Sequence, residues 1–256
     1  MRFSGSIGTV PVMTETAART VLVTGGSRGI GAGITRELVA RGRQVACGYR
    51  GNREAAEKLR ADAPDRVLPV HYDLADAATA TTVVGTVLEQ FGTLDALILN
   101  AGTWNGGKLS TMDPLAWWRV VELNLGGVAA LARAALPALR ASGDPSIVIV
   151  SSVIGVIGHA GDTAYASAKA ALIGFARSLA KETGRDGLRV NVLAPGFVDT
   201  DMTAEVSAKA RDGIERATVL GRFGTVPEIA RAAVFLSEDA TYCTGSVLTA
   251  DGGWSI

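Results

Sequence analysis

The sequence predicts a single α/β domain, a parallel sheet of about seven strands with helices on both faces. Three observations carry this. Short β-branched runs such as Thr20–Thr24, Ser146–Ser151 and Ser246–Ala250 alternate with longer segments of helical period. No hairpin turn joins neighbouring runs, so each strand pair needs a right-handed crossover through a helix. And 48% of the 256 residues are hydrophobic, enough to bury such a sheet on both sides.

Each element follows from its local pattern. Thr20–Thr24 is a β-branched and apolar run, and Gly29–Arg41 repeats apolar residues at Ile30, Ile34, Leu38 and Val39. Gln44–Gly48 is the second strand and Arg53–Ala61 a charged, amphipathic helix. Arg66–His71 is the third strand, with a helix over Ala75–Phe91. Ala96–Leu99 is the fourth strand. Pro114–Ala141 reads as one long helix that Pro137 ends or bends, because proline lacks the amide proton and clashes with the preceding turn. Ser146–Ser151, Leu188–Leu193 and Ser246–Ala250 complete the strands, separated by helices over Thr163–Thr183 and Pro227–Ser237. No linker or charge block divides residues 19–256, so one domain is expected there. Residues 1–18 lack periodicity, with Gly5, Gly8 and Pro11 interrupting any apolar stretch, and read as a disordered tail. Met13 is an alternative start to Met1.

Charge and cysteine content narrow the function classes. Lys plus Arg number 25 and Asp plus Glu 25, so no net charge argues for a nucleic-acid partner. Cys47 and Cys243 are far apart and no His/Cys cluster has metal-ligand spacing, which predicts neither a disulfide nor a metal site. No apolar run approaches the ~20 residues of a membrane span, so a cytoplasmic protein without a membrane partner is expected.

The turn after the first strand, Thr24-Gly25-Gly26-Ser27-Arg28-Gly29-Ile30-Gly31, has the composition of a dinucleotide cradle. Gly25 permits a tight turn, Gly29 a close approach to a pyrophosphate, and Gly31 close helix–strand packing. The amides and dipole of the following helix favour phosphate. The bland alternative is a plain βα turn. The second strand delivers Tyr49 and Arg50, and no acid occurs before Glu54. An acid there would meet the ribose 2′-hydroxyl of NAD, whereas arginine suits the 2′-phosphate of NADP. Arg28 and Arg50 therefore point to NADPH/NADP+, the alternative being two solvated arginines.

Ser151-Ser152, Tyr165-Ala-Ser-Ala-Lys169, the glycine turn, Asn100-Ala101-Gly102 and Pro195-Gly196 together resemble the short-chain dehydrogenase/reductase family from Arg19 to Ile256. The chemistry also follows from the residues. Tyr165 and Lys169 are four apart on a helix and share a face. A phenol titrates near ~10, and a neighbouring ammonium together with the positive nicotinamide of oxidised cofactor would favour the phenolate and lower that value. Tyr165 then acts as acid in ketone reduction and base in alcohol oxidation. Ser152 is similar to the hydroxyl that binds the substrate carbonyl. Ser151 is the alternative, but the thirteen-residue offset from Ser152 to Tyr165 favours Ser152. The resemblance also implies that Lys169 holds the nicotinamide ribose and that Asn124 holds a relay water; Asn124 could instead only bridge helices.

By the same resemblance, Asp73 and Leu74 meet the adenine, Asn100, Ala101 and Gly102 back the ribose, and Pro195, Gly196, Val198 and Thr200 receive the carboxamide. Asp73 also reads as the N-cap of the helix beginning near Ala75. Leu99 stands where many relatives carry asparagine. Asp199–Gly221 resembles the family's mobile substrate lid, and Trp104 and His159 lie on loops expected to border the pocket. His159 could be a solvated loop residue, and Trp104 could pack beneath a loop.

Within the family the chain is most similar to 3-oxoacyl-[acyl-carrier-protein] reductases and acetoacetyl-CoA reductases, which implies a β-keto thioester on carrier protein or CoA. Asp186 before Gly187 departs from the basic residue common there. A ketoreductase for a polyketide or another small carbonyl is the alternative, and a non-catalytic NADP sensor a third. The apolar girth of the helices at Pro114–Ala141 and Thr163–Thr183 predicts association, in the family a homotetramer.

Overall fold

The computed structural model describes residues 18–256 except 77 and 205. The expected tail, with Met13, falls outside these residues apart from position 18. Seven parallel strands form one sheet in the order β3-β2-β1-β4-β5-β6-β7. They are β1 (Thr20–Val23), β2 (Gln44–Tyr49), β3 (Val67–His71), β4 (Ala96–Leu99), β5 (Ser146–Val150), β6 (Arg189–Pro195) and β7 (Val247–Ala250). The order reverses between β1 and β4, which are hydrogen-bonded neighbours. A crevice at the carboxyl ends of the strands follows from that reversal.

The pleat sorts the side chains. On β1, Leu22 joins one core, while Val21 and Val23 join the other. Leu97 and Leu99 on β4 and Ile147 and Ile149 on β5 continue the first, over helices α3 (Thr79–Phe91), α5 (Gly127–Arg140) and α7 (Thr163–Thr183). Ile98 and Val148 continue the second, over α1 (Gly29–Ala40) and α9 (Val226–Val234). Helix α2 (Arg53–Asp62) covers β2 and β3 through Ala56 and Leu59.

Four expectations need correction. The helix expected from Ala75 begins at Thr79, because the carboxylates of Asp73 and Asp76 accept from the amides of Ala75 and Ala78 and hold a turn there. Pro137 does not end the long helix, which continues to Arg140 and packs through Leu131, Ala135 and Leu139. The interruption lies earlier, between α4 (Pro114–Val121) and α5, where Glu122–Gly126 forms a π-helical turn. Finally, the run Pro114–Arg140 is 27 residues long and apolar enough to cross a membrane by length and composition. Its α5 part packs in the core through Val128, Leu131, Ala132, Ala135 and Leu139.

Two helices had no sequence signal. Helix α6 (Ile154–Ile157) is a single turn. Helix α8 (Ala208–Ala217) buries none of its residues fully, so no core-facing stripe marks it; the Ser207 hydroxyl caps it by accepting from Ala210.

Helix α1 meets α9 at Gly33, where a Cβ would lie 2.4 Å from Val226 Cγ1. Gly33→Val is therefore expected to lower the urea midpoint by the equivalent of about 1–3 kcal/mol, the usual cost of overpacking. An unchanged midpoint would show that the two helices separate freely.

Candidate active site

The glycine turn is built by close approach. Gly25 (φ +60°) and Gly29 (φ +50°) occupy the left-handed region, and a Cβ on Gly31 would lie 2.0 Å from the Gly25 carbonyl oxygen. Two hydroxyls that sequence reading did not single out hold the turn. Thr24 Oγ1 accepts from the amides of Asn100 and Ala101, each at 3.0 Å, and Thr35 Oγ1 donates to the Gly26 carbonyl at 3.1 Å. The Gly26 amide donates to Gly48 at 2.7 Å, which brings Ser27 and Arg28 to the end of β2. There Tyr49 packs edge-on against His71, and Arg50 is exposed like Arg28.

A dinucleotide phosphate fits this cradle. Arg28 occupies the N-cap position of α1 without a side-chain cap, and the first turn carries no acid. The amides at that helix start are thus left to an external anion. Thr200 closes the cradle, its Cγ2 lying 3.5 Å from where a Gly29 Cβ would stand. Val198 bridges to Gly224, and Gly196 lies so close to Asp251 that a Cβ would approach its Cα to 2.7 Å. Pro195 accepts from the Val153 amide at 2.8 Å, tying this segment to the chain after β5. Asp73 accepts from Ala75 rather than capping a helix there, and Leu74 lies against Gly127 at the start of α5.

The titratable groups converge below this cradle. Lys169 on α7 is 3% exposed, donates from Nζ to the Val150 carbonyl at 2.9 Å, and stands 5.6 Å from the Tyr165 ring centre. A Cβ on Gly102 would meet both Lys169 Nζ (3.2 Å) and Asn124 Oδ1 (2.8 Å). Asn124 is fully buried in the π-helical turn. Its amide donates to Thr103 and Val120 and accepts from the Thr103 amide. Ser151 is buried and donates to the Lys169 carbonyl at 2.8 Å, while Ser152 lines a cavity with Tyr165.

Burial dominates the electrostatics. It pushes the Tyr165 phenol up to about 12, assisted by the nearby Asp162 charge and opposed by the Ser152 hydroxyl. It also lowers Lys169 to about 8. The lowering expected of the ammonium together with the positive nicotinamide has to work against this burial. One Lys169 proton is donated to the Val150 carbonyl.

The cavity has a volume of about 630 Å³. Trp104 and His159 border it, as do Phe197, Trp254 and Asp162, which sequence reading passed over. The segment after β6 supplies Met202, Val206 and Ile214 of the lid stretch. Asp162 gave no motif to notice; its position three residues before Tyr165 was the available signal.

A family model described as enoyl-(acyl carrier protein) reductase matches residues 25–255. The 3-oxoacyl-[acyl-carrier-protein] reductase FabG of Salmonella typhimurium is 40% identical over 91% of this chain and 95% of its own. A cis-4-hydroxycyclohexanecarboxylate dehydrogenase of Sinomonas cyclohexanicum is 37% identical over 93% and 97%. A double mutant of a Serratia marcescens short-chain dehydrogenase/reductase superposes with a TM-score of 0.87 at 31% identity, covering 93% and 98%. The chain belongs to the short-chain dehydrogenase/reductase family. As a short-chain dehydrogenase/reductase it is an oxidoreductase acting on CH–OH groups, and its family implies a nicotinamide cofactor.

Lys169 supplies a stability test. Unfolded, it keeps its proton to about 10.5; folded, only to about 8. The unfolded chain binds more protons between those values, so wild-type stability rises as pH climbs from about 8 toward 10.5. Lys169→Met has no such slope. It is expected to exceed wild type by about 1–3 kcal/mol at pH 7, with the margin shrinking by pH 9.5 in urea titrations. A margin independent of pH would show that the ammonium is not desolvated.

Proposed function

We propose that this protein is an NADPH-dependent reductase that converts the ketone of a β-keto (3-oxoacyl) thioester to a 3-hydroxyacyl product. The observation that carries the reading is the meeting of Ser152 and Tyr165 in one cavity, with Lys169 buried behind the phenol beside the glycine cradle. A dinucleotide held by its phosphates at that cradle would supply the hydride from its reduced nicotinamide. Ser152 donates a hydrogen bond to the carbonyl oxygen and orients it. Tyr165, protonated throughout the physiological range, delivers the proton to the oxygen as it becomes an alkoxide. Lys169 places positive charge behind the phenol and stabilises the phenolate left after transfer. Asn124, from the π-helical turn, holds the relay that returns the proton.

Arg28 and Arg50, exposed near the end of β2 with no acid in the sequence between Arg50 and Glu54, support the phosphorylated cofactor. The 3-oxoacyl reductases at 35–40% identity support the thioester. Carrier-protein docking has less behind it, because Asp186 binds Arg140 at 2.7 Å and neutralises a cation near Arg185. A second reading is a secondary-alcohol dehydrogenase or ketoreductase for a ring-bearing carbonyl. The cyclohexane-acting relative and the aromatic cavity walls favour it.

We further infer a cytoplasmic homotetramer. Leu115 and Trp118 on α4 are 79% and 64% exposed beside Leu125, and the edge strand β7 is only partly covered. Light scattering at micromolar protein is expected to give four copies. Trp118→Arg is expected to shift the mass downward; a monomeric wild type would refute the assembly.

Purified protein is expected to oxidise NADPH in preference to NADH with acetoacetyl-CoA. Tyr165→Phe is expected to lower kcat by about 10²–10⁴-fold with NADPH binding retained. NADPH binding without turnover on the thioester, but with turnover of cyclic ketones, would move the substrate to the second reading.

A further inference from the structure

The aromatic side of the cavity is held by a carboxylate that has left its ordinary job. Asp162 occupies the N-cap position of α7, where an aspartate usually accepts from the first amides of the helix, yet its side chain makes no such bond. Its oxygens turn into the cavity instead. Oδ1 accepts from the Trp104 indole Nε1 at 2.6 Å, and Oδ2 meets His159 Nδ1 at 2.9 Å. The residue is 6% exposed, so both bonds form in a poorly hydrated setting where a charged acceptor is strong.

The three residues come from separate stretches. Trp104 lies in the loop after β4, His159 in the loop after α6, and Asp162 at the start of the catalytic helix. The backbone is shaped to the same contact. A Cβ on Gly106 would lie 2.6 Å from the Trp104 ring and 3.1 Å from Asp162 Oδ1, and the Gly107 amide donates to the Gly161 carbonyl at 2.7 Å. His159 in turn packs at 6.1 Å from Trp254, which meets Phe197 edge-on at 5.2 Å. One carboxylate therefore anchors a row of rings bordering the space where Tyr165 and Ser152 act.

We propose that Asp162 is a positioning residue for substrate selection: it ties the Trp104 indole and the His159 imidazole into one fixed wall on which the body of the ketone lies. Trp104 is 54% exposed, and this bond is the side-chain hydrogen bond that orients its ring. Losing the bond frees the indole to other rotamers, and the ketone then has to order the wall as it binds. The loss falls on substrate KM. It spares the cofactor, whose cradle lies at the Gly25–Gly31 turn. The selection role rests on the reductase reading above; the clamp itself does not.

The test is a double-mutant cycle on Asp162 and Trp104 with acetoacetyl-CoA and NADPH. Asp162→Ala and Trp104→Phe are each expected to raise the ketone KM about 10-fold, with kcat and the NADPH KM within about 2-fold. The double variant is expected to be no worse than the poorer single, because both remove one interaction. Asp162→Asn loses the charge but keeps an oxygen for the indole and gains an amide that can donate to His159 Nδ1, so it is expected to recover most of the wild-type KM. Additive losses, or an unchanged KM in Asp162→Ala, would overturn the proposal. A second readout is independent of turnover. In ¹H–¹⁵N spectra the Trp104 indole resonance, assigned by its loss in Trp104→Phe, is expected to move upfield in Asp162→Ala and to move less in Asp162→Asn, whose neutral oxygen still accepts. A resonance that does not move in Asp162→Ala would overturn the clamp even if acetoacetyl-CoA proved not to be a substrate.

Discussion

The burial of one ammonium group organises the site. Lys169 is held out of water between β5, α7 and the loop after β4, with the Val150 carbonyl as its hydrogen-bond partner. An isolated buried charge is costly, and the surrounding chain is shaped to reduce that cost. Ser151 fixes the helix backbone at the same residue. Gly102 leaves room for the Nζ and for Asn124, and Gly155 lets α6 lie against the Lys169 backbone, where a Cβ would come within 2.7 Å. The π-helical turn carries Asn124 into the same space. Placing Lys169 therefore determines the course of three connections.

The same desolvation sorts the protonation states. A phenol raised to about 12 beside an amine lowered to about 8 is a pair in which the tyrosine keeps its proton while the lysine can release one near neutrality. A protonated phenol is the form that delivers a proton to a ketone oxygen, and alcohol oxidation requires a phenolate, which positive charge near the ring would have to stabilise against burial.

Much of this was legible in the sequence, and the reasons differ by feature. The strands were legible because each is a short β-branched run that had to be buried on both faces, as Val21 through Val23 show. The glycine turn was legible because positive φ and backbone contact leave glycine as the residue that fits at 25, 29 and 31. The π-helical turn was not, since it inserts into an unbroken apolar period, and Pro137 offered a more obvious interruption that α5 absorbs. Helix α8 was hidden because nothing in it is fully buried. The burial of Tyr165 was not legible, because spacing reveals that a lysine is near but not how dry the site is or that the lysine donates to a carbonyl. Asp162 was invisible for a related reason: three residues before a tyrosine it resembles any helix cap, and only the direction of its side chain tells otherwise.

These contrasts separate two layers of the site. The reacting groups sit on strand ends and buried helix faces, where a methyl group in the wrong place collides with backbone, as at Gly31 and Gly155. Such positions tolerate little change, so the reaction is written in motifs. The cavity is lined by half-exposed rings on loops and by α8, which a hydroxyl caps and which buries none of its residues fully. Elements with so little burial open at low cost and accept substitution. A cavity built that way can keep one chemistry while its walls are refitted. Relatives of similar sequence that are named for different substrates, a 3-oxoacyl-[acyl-carrier-protein] in one and a cis-4-hydroxycyclohexanecarboxylate in another, fit that division. A charged clamp such as Asp162 offers a way for loop residues to gain the rigidity that their burial does not provide.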